Sequence, residues 1–167
     1  MKKPEAIVYT SNTGFTKRYA DMLSEITGLK VYDLADNKEL AENTPIIYCG
    51  WLFASNIKGY KKAAKRFNIC AVVGVGLCET GALLAEVRKA ISLPETTPLF
   101  TVQGGMYYDR LKGINKFMIK MLRKGMSAKK DKTEDEERMF NLIMNGGDFV
   151  SKDNLAKVID WYEENNR

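Results

Sequence analysis

Ile7-Val-Tyr-Thr-Ser-Asn-Thr-Gly-Phe-Thr-Lys-Arg-Tyr-Ala-Asp-Met-Leu23 is the stretch that decides the fold. Its first part continues an apolar run, Glu5 to Thr10, whose β-branched and aromatic residues predict a strand. Its second part predicts a helix from about Gly14 to Ile26, because Tyr19, Met22, Leu23 and Ile26 recur at i, i+3, i+4 and i+7 on one face. Gly28 supplies the stop signal. Between strand and helix lies Thr-Ser-Asn-Thr-Gly-Phe-Thr, residues 10–16. Backbone N–H groups at a helix N-terminus lack intrahelical partners and the helix dipole favours an anion, so this loop suits a phosphate. Ser11, Thr13 and Thr16 add hydroxyl donors, and Gly14 lets the backbone approach a ligand closely. The loop has no lysine and no G-K-[ST], which excludes a nucleoside-triphosphate P-loop and leaves a phosphomonoester held by amides and hydroxyls.

Working outward, the same alternation continues. Lys30 to Leu34 reads as a second strand, Asp36 to Glu42 as a short helix, and Pro45 to Gly50 as a third strand. A loop and a basic helix, Lys58 to Phe67, follow. Ile69 to Gly76 is a continuous apolar strand of the kind buried on both faces of a parallel sheet, Gly81 to Ile91 a helix, and Pro98 to Gln103 a fifth strand. Strands alternating with helices predict an α/β fold with a doubly wound, five-stranded parallel sheet. The rhythm breaks after Gly105, where an insertion at about 106–146 precedes a last helix from near Ser151. The whole chain, 1–167, reads as one domain. Within the insertion, Gly113 to Met126 places Ile114, Phe117, Met118, Met121 and Leu122 on one helical side and Lys116, Lys120, Arg123 and Lys124 on the other. A second helix is expected over Thr133 to Met144.

Composition narrows the chemistry. There is no histidine among 167 residues, which removes Ser-His-Asp and Cys-His machinery and every His-based metal site. Difficult chemistry would therefore fall to a bound cofactor. Cys49, Cys70 and Cys78 are sparse, odd in number and without C-x-x-C spacing, so they read as structural rather than as a disulfide or zinc framework. No apolar run approaches the roughly 20 residues that cross a bilayer, and no signal core precedes the first strand, so the expected location is cytoplasmic. Residues 108 to 132 hold nine basic and two acidic residues, a local +7 in a chain of net +5, so everything else sums to −2. One segment makes the protein basic.

The quoted stretch resembles the flavodoxin fingerprint: apolar strand residues, a Ser/Thr, small residues, a Thr, then Ala and an apolar residue at fixed offsets. The resemblance implies a flavodoxin-like sheet of order 2-1-3-4-5, and a loop, Ser11, Asn12, Thr13, Gly14, Phe15 and Thr16, that grips the phosphate of flavin mononucleotide (FMN). Gly104 to Lys124 (G-G-M-Y-Y-D-R-L-K-G-I-N-K-F-M-I-K-M-L-R-K) in turn resembles the aromatic-basic segment of the menaquinone-linked protoporphyrinogen dehydrogenases, flavodoxin-like enzymes with a long insertion here. That implies an oxidoreductase passing electrons from a small-molecule substrate to a quinone. The alternative is a one-electron carrier between redox-partner proteins.

Ligands of open α/β sheets sit beyond the carboxyl ends of the strands at the switch point, so the loops after strands one, three and four should converge there. The loop after strand three offers Trp51, Leu52, Phe53 and Ala54, with Trp51 or Phe53 placed to stack on the isoalloxazine. The loop after strand four offers Gly76, Leu77, Cys78 and Glu79. Gly104 and Tyr107 follow strand five, and Tyr107 and Tyr108 are candidates to close the pocket. No catalytic residue is assigned. A response regulator would need an acidic residue where Cys49-Gly50 stands, and a low-molecular-weight phosphatase would need C-x5-R, which no cysteine here satisfies.

Low-potential flavodoxins ring the flavin with acids, which disfavours the negatively charged reduced form. Here the candidate loops contain one acid, Glu79, with Lys58, Lys61 and Lys62 close behind, so a milder potential is expected. The insertion helix leaves three readings open: a helix packed on the body with a solvated basic edge, peripheral contact with an anionic membrane through 110–132, or an anionic partner. Nucleic acid is not expected, because aromatic interleaving and a base-reading motif are missing.

Overall fold

A computed structural model describes residues 2–166. In chain order the strands are β1 (Ala6–Thr10), β2 (Lys30–Asp33), β3 (Pro45–Phe53), β4 (Asn56–Ile57), β5 (Asn68–Gly76), β6 (Leu99–Gln103), β7 (Gly105–Met106) and β8 (Gly147–Asp148). The helices are α1 (Phe15–Thr27), α2 (Tyr60–Arg66), α3 (Leu84–Ile91), α4 (Gly113–Ala128), α5 (Glu134–Asn145) and α6 (Ala156–Asn166). The fold is α/β around a mostly parallel sheet of order β2-β1-β3-β5-β6, with β4 turned back antiparallel on β3. Counting parallel strands alone, this is the expected order.

Alternation along the strands builds a core on each face of the sheet. Ala6, Val8, Ile46, Tyr48 and Val72 point to the side covered by α2 and α3, where Ala63, Phe67, Val87 and Ile91 meet them. Ile7, Tyr9, Ile47, Cys49 and Val73 point to the opposite side, against Tyr19, Ala20 and Leu23 of α1 and Val158 of α6. Helices on both faces bury the central residues of β1, β3 and β5, which is why these strands read as apolar runs.

Three sequence expectations are corrected. Asp36 to Glu42 forms turns instead of a helix. The Asn37 amide donates to the carbonyls of Leu34 (2.9 Å) and Asp33 (3.2 Å), and the Arg66 guanidinium donates to those of Asn37 (3.2 Å) and Leu40 (3.0 Å). Side chains thus take carbonyls that a helix would have used. Trp51, Leu52 and Phe53 belong to β3 rather than to a loop: Trp51 still pairs with Val75, then Leu52 and Phe53 pair back with Ile57 and Asn56. The two hairpin residues, Ala54 and Ser55, both have left-handed φ (47° and 59°), the geometry of a two-residue turn usually signalled by Asn-Gly. Finally, α2 and α3 are shorter than expected, starting at Tyr60 and Leu84.

The insertion lies between β7 and β8, which pair antiparallel (Gly105 with Asp148, Met106 with Gly147) and close its base. Its second helix, α5, starts with a capping box: Thr133 Oγ1 accepts from the Glu136 amide and the Glu136 carboxylate accepts from the Thr133 amide. Arg123 of α4 donates to the carbonyl of Ile143 (3.0 Å) and to that of Met144, where unpaired helix carbonyls favour a cation. Its guanidinium lies 4.0 Å from the Tyr108 ring centroid, with Lys116 Nζ at 5.1 Å. Two of the expected solvent-edge cations therefore face inward. No helix among the described residues is long and apolar enough to cross a membrane.

Candidate functional site

The site begins where β1 ends. Gly14 caps α1 with φ 96°, a left-handed conformation that costs an L side chain and not glycine. The Gly14 amide donates to Ser11 Oγ (3.1 Å), which folds the loop back over the start of the helix. Phe15 and Thr16 are buried beneath it, and Ser11, Asn12 and Thr13 are half-buried above. The cations that follow in sequence are engaged elsewhere. Lys17 pairs with Asp21 (2.7 Å) and Arg18 with Asp148, so the loop presents amides and hydroxyls without a bound cation.

Beside this loop opens a cavity of about 610 Å³ at the carboxyl ends of β1, β3 and β5. Ser11, Asn12, Thr13, Phe15 and Thr16 line it from the first strand, and Trp51, Leu52, Phe53 and Ala54 from the β3–β4 hairpin. Gly76, Leu77, Cys78 and Glu79 line it from the end of β5. All three predicted segments therefore meet in one place. Gly14, Gly104 and Tyr107 do not line the cavity. Gly104 is packed close behind it, where an added Cβ would stand 2.7 Å from Val75 Cγ1. Tyr107 stacks on Phe15 (centroids 5.4 Å apart, planes 28° apart) and so supports the wall from outside.

Sequence reasoning missed the roof. Asn115, Ile119, Leu122 and Met126 reach the cavity from α4, and Glu136, Met139 and Ile143 reach it from α5. Their spacing in α4, i, i+4, i+7 and i+11, is a helical face, but a weaker one than the Ile114–Phe117–Met121 stripe beside it. Met106, Leu111, Ile119 and Ile143 form an apolar cluster that packs against Phe53 and Leu77, so roof and walls are continuous. Polar ties fasten the roof at its edges: Asn115 Nδ2 donates to Asn12 Oδ1 (3.3 Å), and Arg138 lies 3.6 Å from Glu79.

The electrostatics are mixed rather than acidic. Trp51 and Phe53 meet edge-on, 6.2 Å apart at 63°, and Lys58 Nζ lies 5.7 Å and 5.6 Å from their ring centroids. Arg138 faces Glu79, the acid expected at the pocket. Glu136 at the roof is held below the usual carboxylate range by the hydrogen bond from Lys129 and the Thr133 amide. Beneath the site, burial pushes the Cys49 thiol up to about 12, which leaves it an inert core group. Among the described residues no cluster of His, Cys, Asp and Glu could hold a metal ion.

The loop offers amide and hydroxyl donors of the kind that hold a phosphate, and the cavity beside it has aromatic and aliphatic walls. The volume lies within the roughly 300–1,000 Å³ usual for cofactor and ligand sites. No protein-family model, curated protein or solved structure matches this chain.

Proposed function

We propose that this protein is a flavodoxin-like, FMN-dependent redox protein, acting as an oxidoreductase on an organic substrate. The observation that carries the reading is the junction of a cation-free hydroxyl and amide loop at the α1 N-terminus with an apolar cavity at the sheet's switch point. Bound FMN would supply hydrogen or electron acceptance, chemistry that a chain without histidine does not otherwise contain.

The chain's own residues then have distinct tasks. Thr13, Thr16 and Ser11 donate hydroxyls to the phosphate, and the amides of Phe15 and Thr16 complete the anion cradle, while the Gly14 amide holds the loop through Ser11 Oγ. Trp51 and Phe53 wall the ring system, and Lys58 places positive charge behind them. With Glu79 opposed by Arg138, negative charge on a reduced ring is less penalised than in an acid-lined site, which favours a milder potential. The roof residues Ile119, Met126 and Met139 shield the cavity from water and leave apolar space for a substrate beside the ring.

The resemblance of the Gly104–Lys124 segment suggests the reaction class: oxidation of a protoporphyrinogen-like compound with electrons passed to a quinone. An anaerobic assay with FMN-loaded protein, protoporphyrinogen and a menaquinone analogue tests it. Growth of porphyrin fluorescence that depends on the quinone is the expected result. Absence of turnover by protein that has bound FMN would favour the second reading, a one-electron carrier between protein partners.

A further inference from the structure

The insertion helix α4 turns its most apolar face to solvent. Ile114 is 73% exposed, Phe117 62%, Met121 52% and Leu122 41%. These residues recur at i, i+3, i+7 and i+8, so they form one stripe along the helix. The helix packs on the body by a different face, through Ile119 and Met126, while Lys116 and Arg123 turn to Tyr108. Monomeric soluble proteins seldom leave contiguous large apolar side chains uncovered, and those that do use them for contact.

Charge identifies the occupant. At 100° per residue, exposed Lys124 and then Lys120 border the stripe on the side of Phe117. Lys112 and Lys130 are exposed at the two ends of the helix, where Lys129 is paired with Glu136. The helix itself carries four cations (Lys116, Lys120, Arg123 and Lys124) and no acid over 16 residues. A second copy docked on the same face would bring like charges together across the contact, which disfavours self-association. A surface with an apolar interior and an anionic rim matches both features at once.

We propose that α4 docks the protein on a membrane containing anionic lipid, with Ile114, Phe117 and Met121 entering the headgroup–acyl boundary and Lys120 and Lys124 meeting the phosphates. The helix lies in the interface plane and does not span the bilayer. This contact is independent of what occupies the cavity.

Co-sedimentation of the full chain with vesicles of phosphatidylglycerol and phosphatidylcholine, against phosphatidylcholine alone, tests it. Binding to the anionic vesicles at low salt, weakened as salt rises, is the expected result. The double substitution Phe117→Ser/Met121→Ser should weaken that binding roughly tenfold or more, and Lys120→Gln/Lys124→Gln about fivefold per lysine. Circular dichroism verifies that both variants remain folded. No binding to anionic vesicles at low salt overturns the proposal, as does binding that Phe117→Ser/Met121→Ser leaves unchanged. A dimer in sedimentation velocity that the same apolar substitutions dissolve would assign the stripe to a second copy and also overturn it.

Discussion

Removing hydroxyls from the loop at the start of α1 should separate recognition of a phosphate from recognition of a ring. In Thr13→Ala and Thr16→Val one donor is lost while the backbone cradle stays, because the loop's internal hydrogen bond runs from the Gly14 amide to Ser11. A hydrogen bond to a charged group contributes about 1.5–3 kcal/mol, and no cation in the loop compensates its loss, since Lys17 and Arg18 are paired with Asp21 and Asp148. Each substitution should therefore raise the FMN dissociation constant by about 10- to 150-fold. Riboflavin, which has the same ring and no phosphate, should bind the variants as it binds the original chain. The assay is quenching of flavin fluorescence on titration with protein, with thermal melts to show that the variants are folded. Equal losses for FMN and riboflavin, or no loss for either, would refute the assignment of these hydroxyls to a phosphate.

Other parts of the structure make separate predictions. Gly59→Ala should destabilise the fold by more than about 2 kcal/mol, read as a lower urea midpoint, because Gly59 has φ 83° and an added Cβ would lie 2.1 Å from the Tyr48 hydroxyl and 2.6 Å from Thr10 Oγ1. Asp148 responds to acid: partial burial raises its pKa, but the Arg18 guanidinium and the Val150 amide outweigh this and hold it below its ordinary value. A depressed carboxyl stabilises the fold above its unfolded pKa and loses that contribution as pH falls through the folded value. Unfolding monitored below about pH 4 should accordingly show a smaller acid dependence in Asp148→Asn than in the original chain. A thiol reagent should label Cys78 first, since it lines the cavity while Cys49 and Cys70 are buried with raised pKa values, and excess FMN should protect it. Equal labelling with and without FMN would count against a flavin lying along the β5 loop.

Much of this was legible in the sequence because the β1–α1 unit obeys local rules. Gly14 and Gly28 bracket the first helix with left-handed caps, and the periodicity of Tyr19 and Leu23 marks its buried face. The parallel sheet followed from the succession of strands and helices, whereas its strand order came only from what the quoted stretch resembles. Elements set by distant partners were not legible. The turns at 36–42 depend on Arg66 reaching back from α2, and propensity cannot register a guanidinium from another element. The β3–β4 hairpin hid because Ala54 and Ser55 carry its turn without the usual Asn or Gly. In α4, periodicity correctly located an apolar stripe, but nothing local told which face would pack. Arg123 and Lys116 won the inward positions through Tyr108 and the carbonyl end of α5, leaving Phe117 and Met121 outside. The cavity's floor was therefore foreseeable and its roof was not.

Stoichiometric FMN uptake tests the central claim most directly. Purified protein titrated into FMN should quench its fluorescence with a sharp end point at about one flavin per chain, as expected for one preformed site. Fluorescence that stays undiminished with protein in large excess would contradict the account at its root.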